Sequence, residues 1–366
     1  MANDFDPHAA DSTASPAPFL ADSTDQREKA SIAELVPKYG SSSATAWLEF
    51  ERYKIWRPDT DIAPSAFRPV QGYMRRDPYV FAWGNPLVSD PAALEPTAKA
   101  FIQWVEAQNL RPIWACVDHD MEEVLGGEAI GWCTVNCIYE DVVDPAHVME
   151  VTSEDAEFDG GVPSHLKDLK KNLRRAEKAN VDVKQIKDGQ WSDQDKLDIE
   201  TGIEEWRKSR SGLQLASTSL QPWLDQEHRR YWVAYKDNKA VGILILTPVK
   251  GNQFQIKNAI SFPDAPKGTS EAIIHGALKD LHEEQGSSEG PNDDRVTVTF
   301  GITASDKFKA VQNLSGWRVS ALAKTYGKVA KGAGLLRRGD FRVCRHCALS
   351  SVGTKQETDA DVFCAE

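Results

Sequence analysis

Residues 254–281 read FQIKNAISFPDAPKGTSEAIIHGALKDL. Phe254, Ile256 and Ile260 are strand-type residues. Two prolines and a glycine in Pro263-Asp264-Ala265-Pro266-Lys267-Gly268 cannot continue a ladder, so the strand ends there. Thr269 is placed to cap a helix. Ala272, Ile273, Ala277, Leu278 and Leu281 fall near helical spacing and give that helix one apolar face. A glycine-containing loop that feeds a helix N-terminus aims backbone N–H groups and the positive dipole end at one spot, which suits an anion or a developing oxyanion. An ordinary strand-to-helix turn explains the same residues.

Outward from this stretch the pattern is alternating α and β. Tyr231 to Tyr235 and Ala240 to Thr247 predict a hairpin with its tip at Lys236-Asp237-Asn238-Lys239. Val296 to Phe300 is a further strand, ended by Gly301, and Trp317 to Val329 a helix. Upstream, Tyr79 to Trp83 is a strand stopped by Gly84-Asn85-Pro86. A helix with Leu94, Ala98, Phe101, Ile102 and Val105 inward follows. Then come a strand at Arg111 to Val117, a short helix at Met121 to Leu125 and a strand at Ala129 to Ile138. The same order occurs twice, so two similar αβ units are expected.

Between them lies His165 to Asn180, a helix with two faces. Leu166, Leu169, Leu173 and Ala176 form one. Lys167, Lys170, Lys171, Arg174 and Lys178 form the other. Residues 165–187 hold eight Lys/Arg against three Asp/Glu, and residues 324–345 seven against one, in a chain whose net charge is −12. That net charge argues against a general polyanion binder, so any polyanion contact is local. A solvated surface is the plain explanation of such a face. An acidic helix around Gln194 to Arg207 follows.

The expected organisation is a disordered acidic tail at 1–30, a first αβ domain at 31–160, a basic linker helix and strand at 161–190, a second and catalytic αβ domain at 191–347, and a tail at 348–366. The six cysteines, at 116, 133, 137, 344, 347 and 364, follow no secretory leader pattern. They read as reduced thiols of a cytoplasmic protein. Cys344-Arg-His-Cys347 is a single CxxC, half of a structural zinc site at most, so no metal is expected. No apolar run is long enough to cross a bilayer, and a lipid would be met from the surface.

Ser261-Phe262-Pro263-Asp264-Ala265-Pro266-Lys267-Gly268-Thr269-Ser270-Glu271 resembles the PDAP-x-G segment of the C-terminal domain of phosphatidylglycerol lysyltransferases. Phe81-Ala82-Trp83-Gly84-Asn85-Pro86 with Asp90, Leu169 to Val183, Phe300 to Ser305 and the basic stretch Leu322 to Arg342 resemble further segments of that family, in the same order. The resemblance covers roughly residues 30–345. It implies an α/β, tandem GNAT-like fold and transfer of an amino acid from aminoacyl-tRNA to a lipid hydroxyl, with no cofactor beyond the charged tRNA. Stand-alone fungal members that make ergosteryl glycine are the nearest match, which implies glycyl-tRNA and the 3β-hydroxyl of ergosterol or another membrane lipid as partners.

For that chemistry the expected oxyanion donors are the backbone at Lys267, Gly268 and Thr269 and the side chain of Lys257. Asp264 is a candidate to orient the loop or accept the hydroxyl proton, and equally a turn aspartate. Ser305, with Asp306, could complete the site or cap a helix. Lys167, Lys170, Lys171, Arg174, Arg175, Lys178, Arg337 and Arg338 are the expected tRNA contacts. Bacterial members tend to carry an acidic and a basic residue four and seven positions upstream of the aspartate matched by Asp264, positions that align here with Ile260 and Lys257. Acetyl-CoA transferases on the same fold grip pyrophosphate with an R/Q-x-x-G-x-G/A loop, and PDAPKGT occupies its place. An acetyl-CoA N-acyltransferase, aminoacyl transfer to a peptide, to phosphatidylglycerol or to another acceptor, and tRNA binding without catalysis are the other readings.

Overall fold

The computed structural model describes residues 23–158, 161–187, 190–209, 220–286, 295–317, 319–328 and 362–365. Helix α1 spans Ser23–Tyr39, and a 3-10 turn at Ser42–Thr45 leads into α2, Ala46–Glu49. The first unit then runs β1 Lys54–Trp56, β2 Gln71–Arg76, β3 Tyr79–Trp83, α3 Leu94–Glu106, β4 Arg111–Val117, α4 His119–Gly126 and β5 Cys133–Val143. Helices α5 Pro145–Thr152 and α6 Ser164–Lys178, strand β6 Asp182–Ile186 and helix α7 Asp193–Lys208 lead to the second unit. That unit is β7 Arg230–Lys236, β8 Lys239–Val249, β9 Gln253–Ser261, α8 Thr269–Gly286, β10 Thr297–Ala310, helical residues 319–328 and β11 Val362–Ala365.

The strands form one sheet in the order β1-β2-β3-β4-β11-β5-β10-β9-β8-β7-β6. Its symmetry reveals the repeat. β1-β2-β3 and β7-β8-β9 are antiparallel ladders, and β3–α3–β4 and β9–α8–β10 are parallel crossovers. The last strand of each unit joins the other: β5 pairs with β10, and β11 with β4. The expected tandem GNAT-like α/β fold is the fold observed.

Local chemistry accounts for most boundaries. Asp237 and Asn238 both take positive φ between Lys236 and Lys239, the twist a two-residue hairpin requires. Ser192 and Asp195 form a reciprocal cap on α7. In three places the structure departs from the sequence expectation. Helix α1 begins at Ser23, because Ile32, Ala33 and Val36 pack on Trp47 and Leu48 and Glu28 pairs with Arg57 at 3.3 Å. Strand β10 does not stop at Gly301. It bulges there, with φ +85°, and continues to Ala310 on β5. Within the expected C-terminal tail, Val362–Ala365 is the strand between β4 and β5.

On one face of the second unit's sheet, α5, α6 and α8 cover Trp232, Leu244, Leu246 and Val298. The opposite face carries α7 over Tyr231, Val233, Ile243 and Ile260, and α1 beside it. The first unit's sheet packs against α3 and α4 through an aromatic core of Trp56, Phe101, Trp114 and Trp132.

The two parallel crossovers differ in one respect. β3 and β4 are zipped over five residue pairs from Tyr79–Arg111 to Trp83–Ala115, and Gly84 N continues the ladder to the Ala115 carbonyl. Buried Trp114 donates from Nε1 to the Gly84 carbonyl and fills that end. β9 and β10 are paired only over Gln253–Thr297, Phe254–Val298 and Gln255–Thr299. Beyond Gln255 and Thr299 the strands part, β9 staying with β8 and β10 with β5. The sheet is therefore split in the second unit and closed in the first.

Candidate active site

At the root of the split, a belt of buried polar side chains crosses the sheet. Arg230 pairs with Leu246, which places Arg229 beside Thr247; Thr247 pairs with Gln255, and Gln255 with Thr299. Arg229, Thr247 and Thr299 are all below 5% exposed. Thr299 donates to Glu140 on β5 at 2.6 Å. Buried polar groups are costly unless satisfied, so a row of them across an otherwise aliphatic sheet is a functional feature.

Lys257 stands one step further along β9. The ladder with β8 slips between Ile245–Asn258 and Leu246–Ile256, leaving Lys257 as the bulged residue. A bulge re-aims a side chain. Lys257 Nζ lies 3.1 Å from Glu49 Oε2 and donates to Thr45 Oγ1 at 2.9 Å. Arg229 donates to Glu49 Oε1 at 2.7 Å and to the Gln221 carbonyl at 3.2 Å. The Thr45 hydroxyl proton faces Gln255 Oε1 at 2.6 Å and the Ser42 carbonyl at 2.7 Å. The N-terminal turn and α2 thus lie over the split and complete the site. Gly301 suits its φ of +85°, and a β-carbon there would displace the Gln255 amide, which lies 2.8 Å from that position.

Two cations share one carboxylate in this cluster. Burial pulls the Lys257 ammonium below the ordinary lysine value; Glu49 opposes that shift and Arg229 adds to it. An ammonium has three donors, of which Thr45 and Glu49 take two. Among the described residues the third has no partner, and the side chain keeps 10% exposure.

The PDAPKGT loop has a different setting from the one expected of it. Gly268 adopts φ +97°, and a β-carbon there would collide with the Asn172 carbonyl oxygen of α6. Thr269 is 1% exposed and donates to the Pro266 carbonyl rather than capping α8. Asn172 Nδ2 donates to Glu271 in the first turn of α8, and Arg175 donates to Asn172. The N-terminus of α8 is therefore covered by α6, while Lys267 is exposed. Gly268→Ala is expected to cost on the order of 2–4 kcal/mol through strain and overpacking, read as a fall in the denaturation midpoint. Asp264 is half exposed and ion-paired with Lys239 at 2.8 Å, and that hydrogen bond holds its carboxyl below the usual range. Its partner is the β7–β8 hairpin, whereas Lys257 faces Glu49. Ser305 lies inside β10; its hydroxyl accepts from Lys307 N and its carbonyl from Tyr326.

Helix α6 presents Lys167, Lys171, Arg174, Arg175 and Lys178 to solvent, with Lys170 half-buried on the Ser153 carbonyl and over Phe158. Arg337, Arg338, Cys344 and Cys347 lie outside the described residues. Among the described residues no His/Cys/Asp/Glu group could hold a metal, and no helix is long and apolar enough to cross a membrane. Sequence reasoning missed Glu49, Thr45, Arg229, Thr247 and Thr299. The available signal was Gln253, Gln255 and Lys257, polar residues at alternate positions of strand β9.

A search of curated proteins finds no match. Among solved structures, L-PGS from Bacillus licheniformis aligns with a TM-score of 0.61 at 12% identity, covering 93% of this chain and 90% of that one. The C-terminal domain of a putative lysylphosphatidylglycerol synthetase from Agrobacterium fabrum gives 0.59 at 11%, with the same coverage. A protein of unknown function from Bacteroides thetaiotaomicron gives 0.53 at 9%, covering 93% and 97%. These likenesses establish the fold. The family described as phosphatidylglycerol lysyltransferase, C-terminal, matches residues 34–287. That span takes in α2, the basic helix, the split strand β9 and the PDAPKGT loop, and the chain belongs to the phosphatidylglycerol lysyltransferase C-terminal family of aminoacyltransferases.

Proposed function

We propose that this chain transfers an amino acid from charged tRNA to a lipid hydroxyl, with glycine as the amino acid and the 3β-hydroxyl of ergosterol as the acceptor. The observation that carries the transfer reading is Lys257, a buried ammonium with one donor to spare at the mouth of a split sheet. The lipid hydroxyl attacks the ester carbonyl of the aminoacyl-tRNA, and negative charge develops on the carbonyl oxygen. Lys257 donates to that oxygen in a site where water is largely displaced. The ester bond to the tRNA ribose then breaks, and the hydroxyl proton passes to the departing ribose oxygen. Glu49 and Thr45 hold Lys257 in place.

Glycine is supported by Ile260, which packs with Ile243 and Phe262 under α7 where bacterial members tend to carry an acid. A lysyl ammonium would find no countercharge there, and glycine requires none. Ergosterol rests on the resemblance to the fungal members.

The exposed cations of α6 suit the tRNA backbone, since phosphate contacts dominate such affinities. Changing Lys167, Lys171, Arg174 and Lys178 together to Glu is expected to raise the KM for charged tRNA at least about tenfold and to flatten its salt dependence. Unchanged kinetics would remove α6 from the RNA interface. The activity itself is tested by incubating the protein with each charged tRNA and a panel of sterols and phospholipids, followed by thin-layer chromatography. An ergosteryl ester formed only with glycyl-tRNA is the expected product. Label on phosphatidylglycerol would move the acceptor, and the absence of any aminoacylated lipid would overturn the reading.

A further inference from the structure

A cavity of about 280 Å³ opens beside the buried cluster, lined by Ile186, Lys187, Trp191, Gln226, Glu227, Arg229 and Tyr231. It shares one residue with the site already described. Arg229 forms part of its wall and donates to Glu49, which in turn holds Lys257. Arg229 Nε is buried and has no hydrogen-bond partner among the described residues, although the side chain is only 1% exposed. That Nε has no accessible surface, so its unmet bond belongs to the buried cluster, and the cavity meets Arg229 only as part of its wall.

The wall is built to hold a flat, polar-edged ring. Trp191 meets Trp223 at 5.0 Å and Tyr231 at 5.2 Å between ring centres, both at 82°. Two rings set edge-on to Trp191 restrict its rotation, so less side-chain freedom remains to be lost on binding. The Tyr231 hydroxyl donates to the Pro222 carbonyl, and burial pushes its pKa up to about 12, so it stays protonated and fixed. Around the rings stand a carboxamide, Gln226, able to donate and accept on a base edge, a carboxylate, Glu227, and two cations, Lys187, suited to a phosphate, and Arg229, already paired with Glu49. A nucleotide offers a base edge to Gln226 and a phosphate to Lys187, where a sterol offers one hydroxyl and no charge.

We propose that this cavity receives the 3′-terminal adenosine of the charged tRNA, with its base against Trp191 and its esterified ribose toward Glu49 and Lys257. The proposal rests on the aminoacyl-tRNA reading above and names where that RNA ends. The cavity then fixes the reacting ester relative to Lys257, while α6 holds the RNA body.

The test uses the full chain and a fluorescein-labelled CCA trinucleotide, followed by anisotropy, with unlabelled 5′-AMP, 5′-CMP and inorganic phosphate as competitors. The trinucleotide is expected to bind, and AMP to compete at least about tenfold better than phosphate and better than CMP. Trp191→Ala is expected to weaken binding about tenfold or more, as loss of one base stack does, and Trp191→Phe to restore most of it. A folded Trp191→Ala protein that binds the trinucleotide as the wild type does would overturn the proposal, as would displacement by ergosterol vesicles but not by AMP. Binding of AMP with these Trp191 effects, in a protein that aminoacylates no lipid, would support the cavity and sink the activity reading alone. Normal lipid aminoacylation with an unchanged tRNA KM in Trp191→Ala would sink the cavity alone.

Discussion

Lys257→Met is expected to lower the transfer rate by on the order of 10²–10³ while leaving the protein folded. Removing one preorganised donor from an oxyanion site has that scale of effect. The fold survives because Met occupies a similar volume, and Glu49 keeps Arg229 as its partner. The loss is expected in kcat rather than in the KM for tRNA, since the carbonyl needs the third N–H most once charge has developed. A variant with wild-type kcat would remove Lys257 from the chemistry. The same residue gives the protein a stability that depends on pH. An unfolded chain holds the Lys257 proton up to the ordinary value near 10.5, whereas the folded chain releases it earlier because burial disfavours the ammonium. Between those two values unfolding takes up a proton, so raising the pH through that window stabilises the fold. Denaturant midpoints measured as the pH rises toward 10.5 should climb relative to those of Lys257→Met, in which this contribution is gone.

Glu49→Ala is expected to be the most destabilising change in the site, at about 3–5 kcal/mol, because it strands two buried cations. Glu49 is 8% exposed, the Arg229 side chain 1% and the Lys257 side chain 10%. Arg229 and Lys257 would then face each other without a carboxylate between them. Adding Lys257→Met to Glu49→Ala should recover part of the loss by removing one of the stranded charges. Chemical denaturation of the two single variants and the double variant measures this coupling directly. Strictly additive losses would mean that the carboxylate and the ammonium do not share their stabilisation.

These two expectations rest on contacts that join residues 208 positions apart in the chain, Glu49 and Lys257. No local pattern announces such a pair. Glu49 follows Trp47 and Leu48 in a four-residue helix and reads as an ordinary polar end. Arg229 precedes the aromatic-rich strand β7 and reads as a strand flank. Their burial comes from α1 and α2 docking beside α7 on the second unit's sheet. Gly268 shows the opposite case. Its position in a proline-rich loop before a helix marks it as a turn glycine, and its φ of +97° agrees. Its closer constraint is the approach of α6, which only the assembled fold imposes. Ser305 read as lying past a strand end because Gly301 breaks the β pattern. Pairing with β5 carries the ladder through that glycine as a bulge.

Alternation, helical periodicity and turn chemistry in the sequence determined the repeated αβ order, the β7–β8 hairpin, the two-faced basic helix and the crossover at residues 254–281. Each of these depends on neighbours within a few residues, and the hydrophobic pattern records them. Tertiary structure alone decided that the last strands of the two units are exchanged, that one crossover is zipped and the other split, and that Glu49 and Arg229 converge on Lys257. Those outcomes depend on which surfaces bury one another across hundreds of residues, and a linear pattern of apolar and polar residues carries no record of that choice.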